Sequence, residues 1–336
     1  MEPVIEGRRA TFILPGGLQR SSGGNVYDRV MVEALRSRGW RVGVSETSPV
    51  RADGPEQADG VVIQDSLAIP AGPPAGPDRL VALLHQLPSE AEERPSWREA
   101  ERSVLRSASL VVAVSRHLAE RASRETEAPV VVVSPGWDRA YAVARSDEGT
   151  VLCVANAGRR KGVADAIAAF EQARLGRARF VLAGDPRRDA LEAERVEAFA
   201  AALGPDLIVD GVLEPAALAH RYATARVFLS ASRYEGWPIA VAEAMASGLP
   251  IVAFDVAGVR ELVRSGEDGI LCEVGDIEGL ARAVGRLWSD PVLSGRMGNT
   301  ARLRARGWPT WADAGRRFVD VLESYARGDP HPADAE

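Results

Sequence analysis

The chain has 336 residues, a formal net charge of −6 and a sequence isoelectric point near 5.5, and 46% of its residues are hydrophobic. This length suits two domains of ordinary size. The acidic balance argues against nucleic acid as the main partner. No apolar run reaches the roughly 18 residues of a membrane span, and the amino terminus has no apolar signal core. Cys153 and Cys272 fall in predicted buried strands, so we expect two core cysteines in a reducing cytoplasm.

Short apolar runs alternate with helical stretches along the chain, a pattern typical of parallel α/β layers. In the first half, the runs predict strands at Thr11–Leu14, Arg41–Val44, Gly60–Ile63, Leu80–Leu84, Leu110–Val114 and Val130–Val133. The stretches between them predict helices at Asn25–Arg38, Trp97–Ser107 and Arg116–Glu125. Residues 70–78 are rich in proline and glycine and indicate a surface loop.

The same alternation begins again at Val151. Strands are predicted at Val151–Ala155, Arg179–Ala183, Leu207–Val209, Val227–Leu229, Ile251–Phe254 and Gly269–Leu271. Helices are predicted at Val163–Arg174, Ala190–Leu203, Glu214–Ala225, Ile277–Trp288 and Trp311–Ala326. Because Pro135–Thr150 is polar and irregular, we place the domain junction there. The resulting divisions are a first domain at 1–140, a second at 141–308, a last helix at 309–327 and a disordered tail at 328–336.

Two glutamates, Glu235 and Glu243, have seven residues between them in the most informative stretch of the chain. Glu235 precedes a turn of Gly236, Trp237, Pro238 and Ile239, whose backbone amides can hold an anion or hydroxyl groups. The predicted helix from Ile239 to Ser247 is apolar nearly all round, and Glu243 is its only charge. A buried carboxylate needs hydrogen-bond partners, and ligand hydroxyls are suitable donors.

Lysine is almost absent from the chain. Of the 41 Lys and Arg residues, 40 are arginine and the exception is Lys161. It follows Arg159 and Arg160 on a loop between a predicted strand and a predicted helix. Ligand sites of α/β proteins lie at the carboxyl ends of strands, and lysine is a compact point charge where arginine is a planar fork. We therefore predict phosphate binding at Lys161, the alternative being a chance survivor on a solvated turn.

Two weaker candidates lie in the first half. Gly23 and Gly24 precede a predicted helix, where glycines let a backbone approach a ligand and the helix start attracts phosphate. The alternative is an ordinary flexible cap. His85 ends the strand Leu80–Leu84 and could bind a sugar hydroxyl or a phosphate, or be structural. Asp65 and Asp185 also follow predicted strands. The chain contains no D-x-D, H-E-x-x-H or C-x-x-C pattern, so we expect no metal and no cofactor.

These stretches resemble the retaining glycosyltransferases of family four. The family's E-G-F-P-[IL]-x-x-x-E-A-M-A-x-G-x-P-[IV]-V pattern matches Glu235 to Val252, with Trp237 in place of phenylalanine. Its G-R-x-x-x-x-K-G pattern matches at Lys161 and Gly162, but Ala155 and Asn156 replace the glycine and arginine. The resemblance is strong from about residue 150 to residue 288 and diffuse before that.

The resemblance implies an α/β GT-B fold, in which two Rossmann-like parallel-sheet domains face a central cleft. It implies that Glu235 lies at the donor sugar, that Glu243 holds the ribose and that Lys161 neutralises the diphosphate. Arg159 or Arg160 would replace the arginine absent at Asn156, and His85 would line the sugar pocket. It further places Gly23 and Gly24 over the diphosphate, and the backbone at Val212 against the base.

The expected activity is transfer of a sugar, with retention, from a UDP- or GDP-linked donor to an acceptor hydroxyl. The acceptor stays open among glycans, lipid-linked sugars and small metabolites, and peripheral membrane contact stays open too. The alternatives are another GT-B enzyme, such as a nucleotide-sugar epimerase or a phosphorylase, and a non-catalytic GT-B partner subunit. The departure at Asn156 favours the last alternative slightly, whereas Lys161 and the two glutamates argue against it.

Overall fold

The chain divides into two compact units. One comprises Met1–Gly136 with Pro309–Glu336, and the other comprises Trp137–Trp308. The computed structural model describes residues 8–14, 16–18, 23–46, 60–73, 79–137 and 148–328. Most of the predicted junction, at 138–147, and the predicted tail from 329 onwards lie outside the described residues. So do positions 74–78 of the predicted proline- and glycine-rich loop.

Among the described residues, the first unit contains one sheet of six parallel strands. They are β1 (Arg9–Ile13), β2 (Arg41–Ser45), β3 (Gly60–Asp65), β4 (Leu80–Leu84), β5 (Leu110–Ala113) and β6 (Val130–Val132). Their order across the sheet is β2-β1-β3-β4-β5-β6. Every residue of β4 and β5 is buried. Both strands are therefore covered on both faces, which explains their uninterrupted apolar sequences.

Helices and short 3-10 turns connect these strands. The helices are α1 (Gly23–Ser37), α2 (Pro88–Ala91), α3 (Arg98–Ser107) and α4 (Arg116–Ala122). The side chain of Ser115 accepts a hydrogen bond from the amide of Leu118 and so begins α4. Glu101 of α3 is a buried carboxylate that accepts hydrogen bonds from the amide and the hydroxyl of Ser89, and it thereby joins α3 to α2.

The second unit contains a sheet of the same kind, again counting the described residues. Its strands are β7 (Thr150–Val154), β8 (Arg179–Ala183), β9 (Leu207–Gly211), β10 (Val227–Ser230), β11 (Ile251–Phe254) and β12 (Gly269–Cys272). All pair in parallel, in the order β12-β11-β10-β7-β8-β9. After β7, the chain first adds β8 and β9 on one side of that strand. It then adds β10, β11 and β12 on the other side, so β8 and β10 are the two neighbours of β7.

The helices of the second unit cover this sheet. They are α5 (Val163–Ala173), α6 (Ala190–Leu203), α7 (Pro215–Thr224), α8 (Ile239–Ala246), α9 (Ala257–Arg260), α10 (Ile277–Ser289) and α11 (Pro291–Ala305). Asp189, Asp276 and Asp290 begin α6, α10 and α11 by accepting hydrogen bonds from backbone amides of the first turn. The buried side chains of sheet and helices form one continuous core.

The last helix, α12 (Trp311–Arg327), belongs to the first unit. It begins with a capping box in which Thr310 and Asp313 exchange hydrogen bonds. The buried ring of Phe318 lies 6.3 Å from the rings of both Phe12 and Tyr27, measured between centroids. The helix thereby completes the core of the first unit over β1 and α1.

The two parallel sheets confirm the predicted α/β fold class. Leu80–Leu84, Arg179–Ala183 and Ile251–Phe254 are strands with the predicted bounds. The sequence did not predict α2, α9 or α11. In α11, arginine, glycine and asparagine interrupt the apolar periodicity, although its aspartate cap and first-turn proline are visible in the sequence. The prediction of two core cysteines was right for Cys153 but wrong for Cys272, which is half-buried because β12 is an edge strand.

Candidate functional site

The strand order of the second sheet determines where a ligand site is expected. From β7 the strand order runs in one direction along the sheet, and from β10 it runs in the opposite direction. These two adjacent strands therefore form a topological switch point. In open parallel sheets, ligands bind at the carboxyl ends of the strands on either side of such a point. The segment after β7 carries Lys161, and the segment after β10 carries Glu235.

Lys161 and Glu235 are in direct contact. Nζ of Lys161 donates to Oε1 of Glu235 at 2.6 Å. Arg160 Nη1 donates to the carbonyl oxygen of Tyr234 at 2.9 Å and lies 3.4 Å from Oε2 of Glu235. Glu235 is only 6% exposed, so it is not an ordinary solvated loop acid. Two cations and one carboxylate thus meet at the switch point and leave one net positive charge.

The charges of this cluster influence one another's protonation. Burial by itself would raise the pKa of Glu235, but the charges of Lys161 and Arg160 outweigh burial and leave that pKa below its ordinary value. Burial lowers the pKa of Lys161, Glu235 raises it and Arg160 lowers it, and the net direction is downward. The ionised Glu235 therefore stabilises the fold above its ordinary pKa, and this contribution is lost as the pH falls through the lower folded value.

A glycine makes the contact sterically feasible. Gly162 follows the 3-10 turn Arg159–Lys161 and has a φ of 57°. A Cβ at this position would lie 2.3 Å from the carbonyl oxygen of Ala231. Only glycine combines this left-handed conformation with such a close approach of the segment after β10. The K-G pair of the sequence motif therefore has a packing reason as well as a charge.

The structure separates the two arginines that the sequence left as alternatives. Arg160 is part of the cluster with Glu235, whereas the side chain of Arg159 is exposed. Asn156, at the position of the absent arginine, accepts a hydrogen bond from the amide of Asp185 at 2.8 Å. It therefore joins the segments after β7 and β8. These positions favour Arg160 over Arg159 as the second cation at the switch point.

Glu243 lies near the middle of α8, and its hydrogen-bond partner is a tyrosine. The hydroxyl of Tyr222, a fully buried residue of α7, lies 2.8 Å from Oε2 of Glu243 and 3.2 Å from the carbonyl oxygen of Ala240. Glu243 itself is half-buried. The sequence did not identify Tyr222 as a site residue. A buried tyrosine supplies the polar partner that a carboxylate on an apolar helix requires.

The turn between the two glutamates packs on α9. Ile239 N donates to the carbonyl oxygen of Trp237 at 3.1 Å, and Pro238 stands immediately before the first residue of α8. The predicted binding residue Gly236 lies with Glu235 against Gly258 of α9. Val212, the residue proposed to meet a base, directly follows β9 and is 60% exposed. The binding roles of Gly236, Trp237, Pro238, Ile239 and Val212 stay predictions.

Gly258 provides a test of how tightly this turn is held. A Cβ there would lie 2.3 Å from the carbonyl oxygen of Glu235 and 3.0 Å from that of Gly236. We expect Gly258→Ala to displace the turn and to lower the free energy of unfolding by about 1–3 kcal/mol, as overpacking does. Gly295→Ala is the control, because its added methyl group meets no atom within 4 Å. Urea denaturation measures both variants, and equal stability of the two would contradict the packing described here.

In the first unit, the predicted residue His85 lies between two buried acids. Its Nε2 is 2.9 Å from Oδ1 of Asp28 and 3.3 Å from Oδ2 of Asp65. Gly24 packs on the ring, where an added Cβ would lie 3.5 Å from Cδ2 of His85. Gly23 is the first residue of α1, while Ser21 and Ser22 of the same predicted loop lie outside the described residues. Asp65 was a weak candidate from the sequence, and Asp28 was not identified.

The same three side chains are the only group of histidine, cysteine and acidic residues in the described chain that is compact enough for a metal ion. The atoms concerned lie within 4.8 Å of one another. Nε2 of His85 and Oδ1 of Asp28 are separated by the length of a direct hydrogen bond. We therefore interpret this contact as a hydrogen bond. The sequence-based expectation of no metal stays a prediction.

Residues 148–290 match the protein-family model "Glycosyl transferases group 1". Alpha-D-kanosaminyltransferase of Streptomyces kanamyceticus is 30% identical over an alignment of 246 residues, and the match covers 65% of this chain and 62% of that protein. The aligned segments of other curated relatives span about a quarter of those proteins or less. The family match and these relatives support a transferase enzyme.

Solved structures resemble the chain over nearly its whole length. Sucrose-phosphate synthase from Thermosynechococcus elongatus has a TM-score of 0.80 at 19% identity. The superposition covers 96% of this chain and 100% of the synthase chain. Anabaena HepE in complex with UDP-glucose has a TM-score of 0.75 at 17% identity, and the superposition covers 94% of this chain and 99% of the HepE chain. None of the helices in the described residues is long and apolar enough to cross a membrane. The protein thus has the GT-B fold, and its residues 148–290 form a domain similar to the group 1 glycosyl transferases.

Proposed function

We propose that the protein transfers a sugar from a nucleoside diphosphate sugar to an acceptor hydroxyl, with retention of anomeric configuration. The observation that carries the proposal is the cluster of Lys161, Arg160 and Glu235 at the switch point of the second sheet. It lies inside the domain that matches the group 1 glycosyl transferases. The E-x7-E pattern, which resembles retaining family-four enzymes, supports the finer assignment to retention.

In this proposal the cations act on the leaving group. As the bond from the anomeric carbon to the diphosphate oxygen breaks, negative charge develops on that oxygen. Lys161 and Arg160 are already positioned beside each other to stabilise it. A bond forms between the anomeric carbon and the acceptor oxygen, and the proton of that oxygen passes to the departing diphosphate. Glu235 then has two tasks, holding the lysine in place and accepting hydrogen bonds from the sugar.

The second glutamate is suited to the nucleoside. Glu243 is a half-buried acceptor whose orientation is fixed by the hydroxyl of Tyr222. We propose that it accepts hydrogen bonds from the ribose hydroxyls. The donor would be UDP- or GDP-linked: HepE was solved with UDP-glucose, and a relative from Mycolicibacterium smegmatis is a GDP-mannose-dependent mannosyltransferase.

The proposal includes transfer without a divalent metal, because Lys161 and Arg160, which meet at Glu235, would supply the positive charge beside the leaving diphosphate. Thermal-shift measurements with a panel of nucleotides and nucleotide sugars test the donor. We expect one nucleoside diphosphate to raise the midpoint of unfolding, as any ligand of the native state does. Release of that diphosphate should then require an acceptor and should persist in excess chelator.

Each failure in this experiment has a distinct meaning. No stabilisation by any nucleoside diphosphate would favour a non-catalytic GT-B subunit. Turnover of the donor without an acceptor would favour an epimerase, and phosphate-dependent cleavage of a glycan would favour a phosphorylase. Complete loss of transfer in chelator, restored by magnesium or manganese, would contradict the metal-free proposal.

A further inference from the structure

The first sheet has a switch point of its own. The chain passes from β1 to β2 on one side and then to β3 on the other, and β4 continues beyond β3. The carboxyl end of β3 is Asp65, and His85 directly follows the neighbouring strand β4. Asp28 reaches the same point from α1. Three buried or nearly buried ionisable groups therefore meet where an open parallel sheet binds its ligands.

Both acids approach the same nitrogen of the histidine ring. Oδ1 of Asp28 and Oδ2 of Asp65 lie 2.9 Å and 3.3 Å from Nε2 of His85. If Nε2 carried no proton, an imidazole lone pair would face two carboxylate oxygens with no hydrogen between them. With both acids ionised such a contact is repulsive, so the geometry favours a proton on Nε2. Asp28 lies at hydrogen-bond distance from Nε2, and Asp65 lies at ion-pair distance from it.

The burial of Asp28 adds a constraint on the charge of the ring. Asp28 is 1% exposed, and its Oδ2 has no hydrogen-bond partner among the described residues. A buried carboxylate without a compensating cation is costly. His85 is the group placed to supply that charge. The carboxylate therefore favours the doubly protonated imidazolium over neutral imidazole.

Elements packed around His85 hold its ring in place. From α1, Tyr27 packs edge-on against the imidazole at 5.1 Å between ring centroids, and its own pKa is raised by burial and by Asp28. From β3, Asp65 accepts a hydrogen bond from the amide of Leu67. The next residue, Ser66, accepts one from the amide of His85. From α12, Trp311 contacts Tyr27. Among the described residues, the ionisable groups in contact with the ring are thus Asp28, Asp65 and Tyr27.

We propose that Asp28 and Asp65 are positioning residues that keep His85 as a fixed imidazolium, so that it acts as a hydrogen-bond donor and never as a general base. Burial lowers the pKa of His85, but the two acids outweigh it and raise that pKa to about 9. Burial and the charge of Asp28 raise the pKa of Asp65 to about 7. The ring therefore stays charged through neutral pH while Asp65 gains or loses its proton.

The consequence for ligand binding rests on the proposed function. With Nε2 occupied by the acids, Nδ1–H is the remaining donor of the ring. It suits an oxygen acceptor, such as a hydroxyl or phosphate oxygen of a sugar nucleotide. A neutral histidine could instead accept the proton of the attacking hydroxyl. The two acids therefore decide which of these two roles the histidine has.

Titration of the histidine rings by NMR tests the charge state directly. The chain has four histidines, and His85→Gln identifies the signals of the one in question. In ¹⁵N-labelled protein we expect His85 to titrate well above its ordinary pKa, with both nitrogens protonated at pH 7. Asp28→Asn should lower the midpoint by about one pH unit or more, and Asp65→Asn should lower it less. Glu33→Gln, an exposed acid on the same helix, should leave it unchanged.

The outcomes separate this proposal from the proposed function, because the titration needs no substrate. A wild-type midpoint near 6.5, or one that Asp28→Asn leaves unchanged in a folded variant, would overturn the proposal. So would loss of the titration on adding Zn²⁺, since the three side chains would then form a cation site. If transfer is also observed, the kcat/KM of Asp28→Asn should decline at its lowered midpoint as the pH rises. Absence of transfer with a high wild-type midpoint would contradict the proposed function alone.

Discussion

Replacing Lys161 by arginine should lower the turnover of sugar transfer by about 10²-fold, the cost of a small misplacement at a reacting centre. Arginine is otherwise the cation of this chain, so the substitution would be harmless if the lysine were there by chance. Nζ of Lys161 lies 2.6 Å from Glu235, with Arg160 on the other oxygen of the same carboxylate. A planar guanidinium is wider than an ammonium and cannot take this place without moving one of its neighbours.

Lys161→Ala should have the larger effect, about 10²–10³-fold, because the charge that stabilises the leaving diphosphate is lost. It should also lower the free energy of unfolding by about 1–3 kcal/mol, since buried Glu235 loses its closest hydrogen bond. The side chain of Lys161 is only 29% exposed, so this contact with Glu235 is largely shielded from water. Steady-state kinetics and urea denaturation measure the two effects, and Arg177→Ala is the control at an exposed site. Wild-type turnover in Lys161→Arg would show that the presence of a single lysine at this position is no evidence for phosphate binding.

Glu235→Gln should reduce transfer by about 10²-fold or more while leaving the affinity for free nucleoside diphosphate unchanged or tighter. The amide keeps the shape of the side chain but removes the charge that partly neutralises Lys161 and Arg160. Those two cations then attract the diphosphate more strongly, although the lysine is less firmly held. Glu243→Ala should behave in the opposite way and weaken diphosphate binding by about 1–3 kcal/mol, as expected for lost hydrogen bonds to a charged group.

Isothermal calorimetry with the free diphosphate, paired with transfer rates at saturating donor, distinguishes the two glutamates. A diphosphate affinity that falls in Glu235→Gln and survives in Glu243→Ala would show that the assigned roles are exchanged. Because Tyr222 orients Glu243, Tyr222→Phe should weaken diphosphate binding in the same direction as Glu243→Ala but by less. This ranking of the variants serves as an internal control.

The sequence identifies the individual residues of the site more readily than it predicts how they are arranged. Lys161 was found because its residue type is unique in the chain, and Glu235 because of its spacing to Glu243. Their contact joins positions 74 residues apart. It exists because β7 and β10 are neighbours, and the order of strands across a sheet is a long-range property that apolar patterns do not encode. The alternation of strands and helices was predictable, because each buried strand is a short apolar run.

Asp28 shows the same limit in the first unit. An aspartate within a helix usually faces solvent, and nothing in its sequence neighbours indicates burial beside a histidine. Asp65 and His85 were recognised because both follow strands, and parallel pairing of β3 with β4 places such residues side by side. Tyr222 is similar to Asp28 in this respect, since a tyrosine in an amphipathic helix is indistinguishable from an ordinary core residue until its hydroxyl has a partner.

Helix α12 belongs to the first unit although it is the last helix along the chain. This arrangement affects the order in which the two units can fold during synthesis. Phe12 and Tyr27 leave the ribosome long before Phe318, the ring that covers them. The second unit is a continuous stretch of chain and has its whole core available while α12 is still untranslated. Domains generally fold as units during synthesis, the amino-terminal one first, but here we expect the second unit to complete its core first. The amino-terminal unit matures last, and until then its uncovered aromatic face is where premature association of nascent chains would begin.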